Sequence, residues 1–194
     1  MQIDFKHASP LTKYKILSNT ITPRPIAWIS TTDENGIINL APFSFFAPIS
    51  PNPVVFSVCI TPKSDGSMKD TLKNILATKK ATICMCDEKN LKSLNQSATE
   101  LEYGVSEALR FNIALEVIEN GYPPIIKGSL VAFMCELYDV LAISQDSKPV
   151  LLEASRCFID DKIYQEDLKF ILKNVGRVGK YYQLPSEWVD PKNL

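Results

Sequence analysis

Between Ile26 and Ile60 the chain reads as three short apolar runs separated only by turn residues and prolines, a pattern of strands joined in hairpins. Ile26 to Thr32 is predicted as the first strand, and Asp33-Glu34-Asn35-Gly36 supplies the residues that reverse a chain. Ile37 to Phe46 returns as a second, aromatic-rich strand. Pro51 and Pro53 then precede Val54 to Ile60, a β-branched run expected to be well buried. Short strands connected this way favour an antiparallel barrel over alternating βαβ units.

The rest of the chain adds helices to that frame. Ser9-Pro10 places a cap and a first-turn proline ahead of Leu11, Tyr14 and Leu17, so a short helix opens the chain. Thr22-Pro23-Arg24-Pro25 forces extended backbone. Thr61 to Gly66 is turn-like, and Ser67-Met68-Lys69-Asp70 reads as a capping box opening a helix with Leu72, Ile75 and Leu76. Ala81 to Cys86 is a fourth strand and Leu91 to Ala98 a short helix. Glu100 to Gly128 is expected to pack outside the core. Leu130 to Ile143 and Val150 to Ile163 are two long strands joined by a turn at 144–147, and a short helix is predicted from Glu166 to Leu172.

Composition narrows the functions. With 194 residues, 45% hydrophobic and 22% charged, the chain is expected to form a single globular domain over residues 1–194. Its 21 basic and 22 acidic residues leave a formal net charge of -1, so no global field draws nucleic acid or an anionic membrane. Met1 to Lys6 lacks the apolar run of a signal peptide and no later stretch has the length of a membrane helix, which points to the cytoplasm. The cysteines Cys59, Cys84, Cys86, Cys135 and Cys157 form no Cys-x-x-Cys pair and are read as reduced and mostly buried. The only histidine is His7, so no catalytic Cys-His or Ser-His couple and no histidine-rich metal site is expected.

Two segments carry candidate chemistry. From Thr61 to Thr71, Gly66 tolerates unusual backbone angles, helix-opening amides are free, and Lys63 and Lys69 add charge, which together accept a phosphate. An ordinary capped surface helix needs the same residues. In the hairpin, Trp28-Ile29-Ser30-Thr31 and Asn39-Leu40-Ala41-Pro42-Phe43-Ser44-Phe45-Phe46 mix small polar groups with large aromatics. Apolar walls with fixed donors and acceptors suit a flat ring system, and a strand core with a polar outer face looks alike.

Taken together, the run from Thr22 to Thr31, the block Asn39 to Phe46, and Lys69-Asp70-Thr71 with Asn74 resemble the signature of the flavin reductase-like family, nearest its flavoredoxin-type branch. The similarity continues to Gly176-Arg177-Val178-Gly179-Lys180-Tyr181. This resemblance implies an FMN-binding split β-barrel of Greek-key strands, a homodimer with non-covalent FMN near the subunit interface. It places Trp28, Ile29, Ser30, Thr31, Asn39, Leu40, Ala41, Pro42, Phe43, Ser44 and Phe45 around the ring and ribityl chain, Lys69 and Thr71 at the phosphate with Asp70 as a capping or Lys69-orienting group, and Arg24 and Arg177 near the flavin.

In such a protein the flavin carries the redox chemistry, so no catalytic side chain is assigned. Electrons come from NAD(P)H in a flavin reductase, or from a redox protein in a flavoredoxin-like carrier. A third reading is a small-ligand-binding barrel without redox turnover. The short reductase components of two-component monooxygenases carry a late Gly-Asp-His segment, which this sequence lacks. In its absence, Arg177 and Tyr181 offer a nucleotide a phosphate contact and a stacking ring.

Overall fold

The structure is a computed structural model that describes residues 1–144, 147–186, 189 and 191. Its centre is one seven-stranded antiparallel sheet. The strands are β1 (Ala27–Thr32), β2 (Ile38–Phe43), β3 (Phe46–Pro51), β4 (Val54–Ile60), β5 (Lys80–Cys84), β6 (Val131–Val140) and β7 (Lys148–Ile159). They lie in the order β2-β1-β5-β6-β7-β4-β3.

That order dictates the shape. β2 and β3 occupy opposite edges of the sheet, yet only Ser44 and Phe45 separate them in sequence. Laid flat, the edges would stand roughly 29 Å apart at about 4.8 Å per strand spacing, whereas two linking residues span about 10 Å at most. The sheet therefore curls until its edges meet at Ser44-Phe45, where Cys59 N donates to Phe45 O at 2.9 Å. The predicted continuous strand Ile37 to Phe46 is broken here, because the chain must leave one edge and enter the other.

Period-two alternation divides the buried side chains between two faces. One cluster holds Ala27, Ile29, Phe43, Phe46, Val58, Ile83, Val150 and Leu152 with Leu72 and Ile75 of helix α2 (Asp70–Thr78). The other holds Ile26, Trp28, Leu40, Cys84, Cys86 and Met134. It is covered by Leu94 of α3 (Leu91–Gln96), Ala108 of α4 (Glu107–Arg110), and Ile113, Ile125 and Ile126. The segment expected to pack outside the core thus covers the second cluster: without it, this sheet face and Trp28 would be left to water.

Two local expectations are corrected. Ser67 is not the cap of α2; its amide bonds Asp65 Oδ1 and its carbonyl accepts from Lys63 N at 2.8 Å, so it belongs to the preceding turn. The N-cap is Lys69, whose side chain makes no capping hydrogen bond. Glu166–Leu168 is one 3-10 turn, with Asp167 and Leu168 at positive φ, and Lys169–Phe170 then pairs with Tyr164–Gln165. The opening helix α1 (Pro10–Thr20) forms as predicted, with Thr12 N on Ser9 Oγ, but Leu11, Tyr14 and Leu17 face outward. Of the turn expected at 144–147, residues 145 and 146 lie outside the described residues.

Candidate functional site

The β1–β2 hairpin turns on Asp33, whose Oδ1 accepts from Asn35 N and Ile37 N, with Gly36 at φ 83°. Its register sets Thr31 opposite Asn39. Asn39 Nδ2 donates to Thr71 Oγ1 at 2.9 Å and Asn74 Nδ2 to Thr31 Oγ1 at 3.1 Å, so the first turn of α2 is fastened to the hairpin. Buried polar groups that satisfy one another in this way fix geometry. Asn74 Oδ1 is buried and has no hydrogen-bond partner among the described residues.

Between this junction and the β2–β3 crossing lies a cavity of about 200 Å³. Asn39, Ala41, Pro42, Phe43, Ser44 and Phe45 form one wall, and Lys69 and Thr71 one end. The loop 97–101 and Tyr14 of α1 close further sides, Tyr14 stacking on Phe45 with ring centroids 5.8 Å apart. The Thr61–Thr71 and Asn39–Phe45 segments, separate in sequence, thus face one space.

The remaining candidates do not line it. Trp28 is fully buried on the second face, its Nε1 donating to Ser97 Oγ at 2.9 Å; Ile29 belongs to the first core cluster, and Ser30 Oγ bonds Pro124 O. Thr31 stands behind Asn39, and Leu40 points into the second cluster. Arg24 is buried behind Ser44 and Phe45, while Arg177 lines an adjoining cavity. The aromatic under Arg177 is Tyr182, at 4.3 Å, and Tyr181 is exposed beside Lys180.

Charges around the cavity are paired with care. Lys63 Nζ lies 2.9 Å from Asp70 Oδ1 and also donates to Leu101 O, which cancels the carboxylate at the mouth of α2. Lys69 Nζ lies 3.1 Å from Glu100 Oε1. Glu107 is buried, and its Oε2 accepts from Leu40 N at 2.8 Å, satisfying an amide that edge strand β2 leaves without a strand partner. Burial pushes the Glu107 carboxyl above its ordinary range, with Asp70 adding to the effect against the Leu40 hydrogen bond. Glu100 and Glu107 come from the segment least legible in sequence, where no spacing or motif announces them.

Cys84 and Cys86 offer no competing redox centre. Burial raises the Cys84 and Cys86 thiols to about 11 and about 12, which keeps both protonated. All five cysteines are free, and no cluster of metal-ligating side chains occurs among the described residues.

The flavin reductase like domain matches residues 19–179. An uncharacterized protein of Aquifex aeolicus (strain VF5) is 32% identical over 186 residues, covering 94% of each chain. Nitrilotriacetate monooxygenase component B from Bacillus cereus superposes with a TM-score of 0.90 at 23% identity over 98% of each chain. FMN-binding protein from Thermus thermophilus gives 0.80 at 16% identity over 98% of this chain and 100% of its own. The curled half-barrel is that of split-barrel flavin reductases.

The chain therefore belongs to the flavin reductase-like family, a class of flavin-related oxidoreductases. No helix among the described residues is long and apolar enough to cross a membrane.

Proposed function

We propose that this protein is an oxidoreductase that binds FMN non-covalently in the cavity between the β2–β3 crossing and the start of α2. The observation that carries this reading is the convergence there of an apolar wall, hydroxyl and amide groups, and a helix start without a side-chain cap. Phe43, Phe45, Pro42 and Ala41 supply flat apolar surface for a ring, while Asn39, Ser44 and Thr71 supply fixed polar groups. When bound, the flavin accepts and passes on electrons.

Lys69, Thr71 and the first amides of α2 hold the phosphate, where the helix dipole favours negative charge. Asp70 does not oppose this, because Lys63 neutralises it at 2.9 Å. Thr31, Asn39 and Asn74 keep the α2 start in register with the wall. Trp28, Ile29, Ser30 and Leu40 act from behind it, by holding the strands that present Asn39 to Phe45.

At about 200 Å³ the cavity is smaller than the roughly 300–1,000 Å³ of ligand sites, which favours a site completed by a second copy of the chain. Leu11, Tyr14 and Leu17 of α1 and its C-cap Ile21 are exposed apolar residues, Tyr14 at the cavity itself, and a homodimer buries them. Location in the cytoplasm agrees with the free cysteines.

NAD(P)H or a redox protein delivers the electrons. The absence of a Gly-Asp-His segment favours the second donor, as in a flavoredoxin-like carrier between protein partners. An absorption spectrum of freshly purified protein tests the cofactor: flavin bands are expected, and a colourless protein that gains none on adding FMN points to a barrel binding another small ligand.

A further inference from the structure

Arg24 and Arg177 oppose one another in an isolated antiparallel bridge, Arg24 N donating to Arg177 O at 3.0 Å and Arg177 N to Arg24 O at 2.9 Å. Directly opposed residues send their side chains to the same side, so two permanent cations share one face. Like charges placed this way repel, and burying one of them raises the cost. Arg24 is buried. Its guanidinium has neutral acceptors only: the Ser18 carbonyl at Nη1, and Ser44 Oγ 3.4 Å from Nε and Nη2. No carboxylate pairs with either arginine among the described residues. Burial pulls the Arg24 guanidinium below its ordinary value, against an opposing effect of Tyr14, and the like charge of Arg177 adds a smaller pull in the same direction as burial.

The close approach is built in. A Cβ at position 176 would lie 2.5 Å from Pro23 Cβ, so only Gly176 allows these two segments to meet. Arg177 then lines a cavity of about 180 Å³ with Tyr14, Pro42, Ser44, Ala98 and Tyr182. Tyr14, Pro42, Ser44 and Ala98 also line the candidate flavin cavity, so the two spaces share a wall.

We propose that this second cavity is an oxyanion subsite, in which Arg177, backed by Arg24, holds the phosphate or carboxylate of the second redox ligand beside the flavin. An oxyanion matches the planar fork of a guanidinium and neutralises a cation pair that has no carboxylate partner among the described residues. The cavity takes the charged end of a molecule and not a whole dinucleotide. It is separate from the phosphate position at Lys69, which does not line it. The inference rests on the flavin reading for the identity of the neighbouring ligand; the cation pair and its cavity stand without it.

Calorimetric titration at constant ionic strength tests this, using inorganic pyrophosphate and benzoate as probes, on the protein with and without added FMN. One probe is expected to bind saturably, with R177Q weakening it tenfold or more and R177K keeping a measurable part. Pyrophosphate as the better probe identifies a phosphate source, benzoate a carboxylate source. FMN affinity is expected to be unchanged in R177Q. Absence of saturable binding by either probe, or binding by folded R177Q equal to that of wild type, overturns the subsite. So does a loss of FMN affinity in R177Q without a loss of riboflavin affinity, because the arginine then serves the flavin's own phosphate. A chain that binds no FMN yet shows Arg177-dependent probe binding sinks the flavin reading and leaves the subsite standing.

Discussion

Lys69 Nζ lies 3.1 Å from Glu100 Oε1, and the other oxygen of the same carboxylate accepts the Ser64 hydroxyl at 2.8 Å. A protein anion thus engages the cation that FMN phosphate would use. Such a pair at a partly exposed rim contributes little to folding and is readily exchanged for a ligand. Hydrogen bonds from Ser64 and Lys69 hold the Glu100 carboxyl below its ordinary range, so it remains an effective competitor at neutral pH.

The two sides of this competition respond oppositely. Lys69→Ala is expected to weaken FMN binding by roughly tenfold to a hundredfold, the worth of a charge-assisted contact. Glu100→Gln should tighten it by a few fold, since the competing charge is gone and the side chain keeps its size. Flavin fluorescence titration reads both. Unchanged dissociation constants in both variants would place the phosphate elsewhere.

Glu107 makes stability depend on pH in a defined direction. Its folded pKa is raised by burial, so between the unfolded and folded values the native state binds more protons than the unfolded state. Stability therefore falls as pH rises through that window. Glu107→Gln retains an acceptor for Leu40 N, and its stability should vary less with pH there. Denaturant midpoints measured across the acid range would decide it; parallel curves for the two proteins refute the assignment.

Gly176→Ala is expected to destabilise the protein by about 1–3 kcal/mol, the usual cost of forcing an added carbon into a packed site. The added Cβ meets the ring carbon of Pro23, which cannot swing away as a flexible side chain can. A melting curve that matches wild type would show that the two segments separate freely.

The released cofactor is expected to be FMN and not FAD, since the cavity ends at Lys69 and Thr71, where a terminal phosphate fits. Mass spectrometry of the denatured protein identifies it, and light scattering tests the homodimer. FAD alone, or a monomer that keeps its flavin, defeats the corresponding half.

Bound FMN should be reduced readily by a strong chemical reductant but only slowly by NADH or NADPH. His7 is the only histidine and lies far along the chain from every cavity residue but Tyr14, leaving no imidazole to orient a nicotinamide. Hydride transfer depends on such orientation. Stopped-flow reduction that is rapid and saturates at low nucleotide concentration would make NAD(P)H the donor.

The sequence by itself determined what short-range chemistry controls. Asp33 to Gly36 supplies the residues that reverse the chain and Ser9-Pro10 those that open a helix, whereas the separation of Trp28 from Ile29 onto opposite faces came only with the sheet. Blocks at Asn39–Phe45 and Lys69–Thr71 stand out in the sequence by their residue types, and the fold brings residues of both to one cavity. Tertiary structure alone decided how these parts meet. Closing the sheet breaks the chain at Ser44-Phe45, because strands adjacent in sequence must serve opposite edges. It brings Glu107 onto an amide of β2 and Glu100 onto Lys69 from a segment without periodicity. It also sets Arg24 against Arg177, a pairing of like charges that local sequence preferences cannot encode, since its energy depends on groups more than a hundred residues apart in the chain.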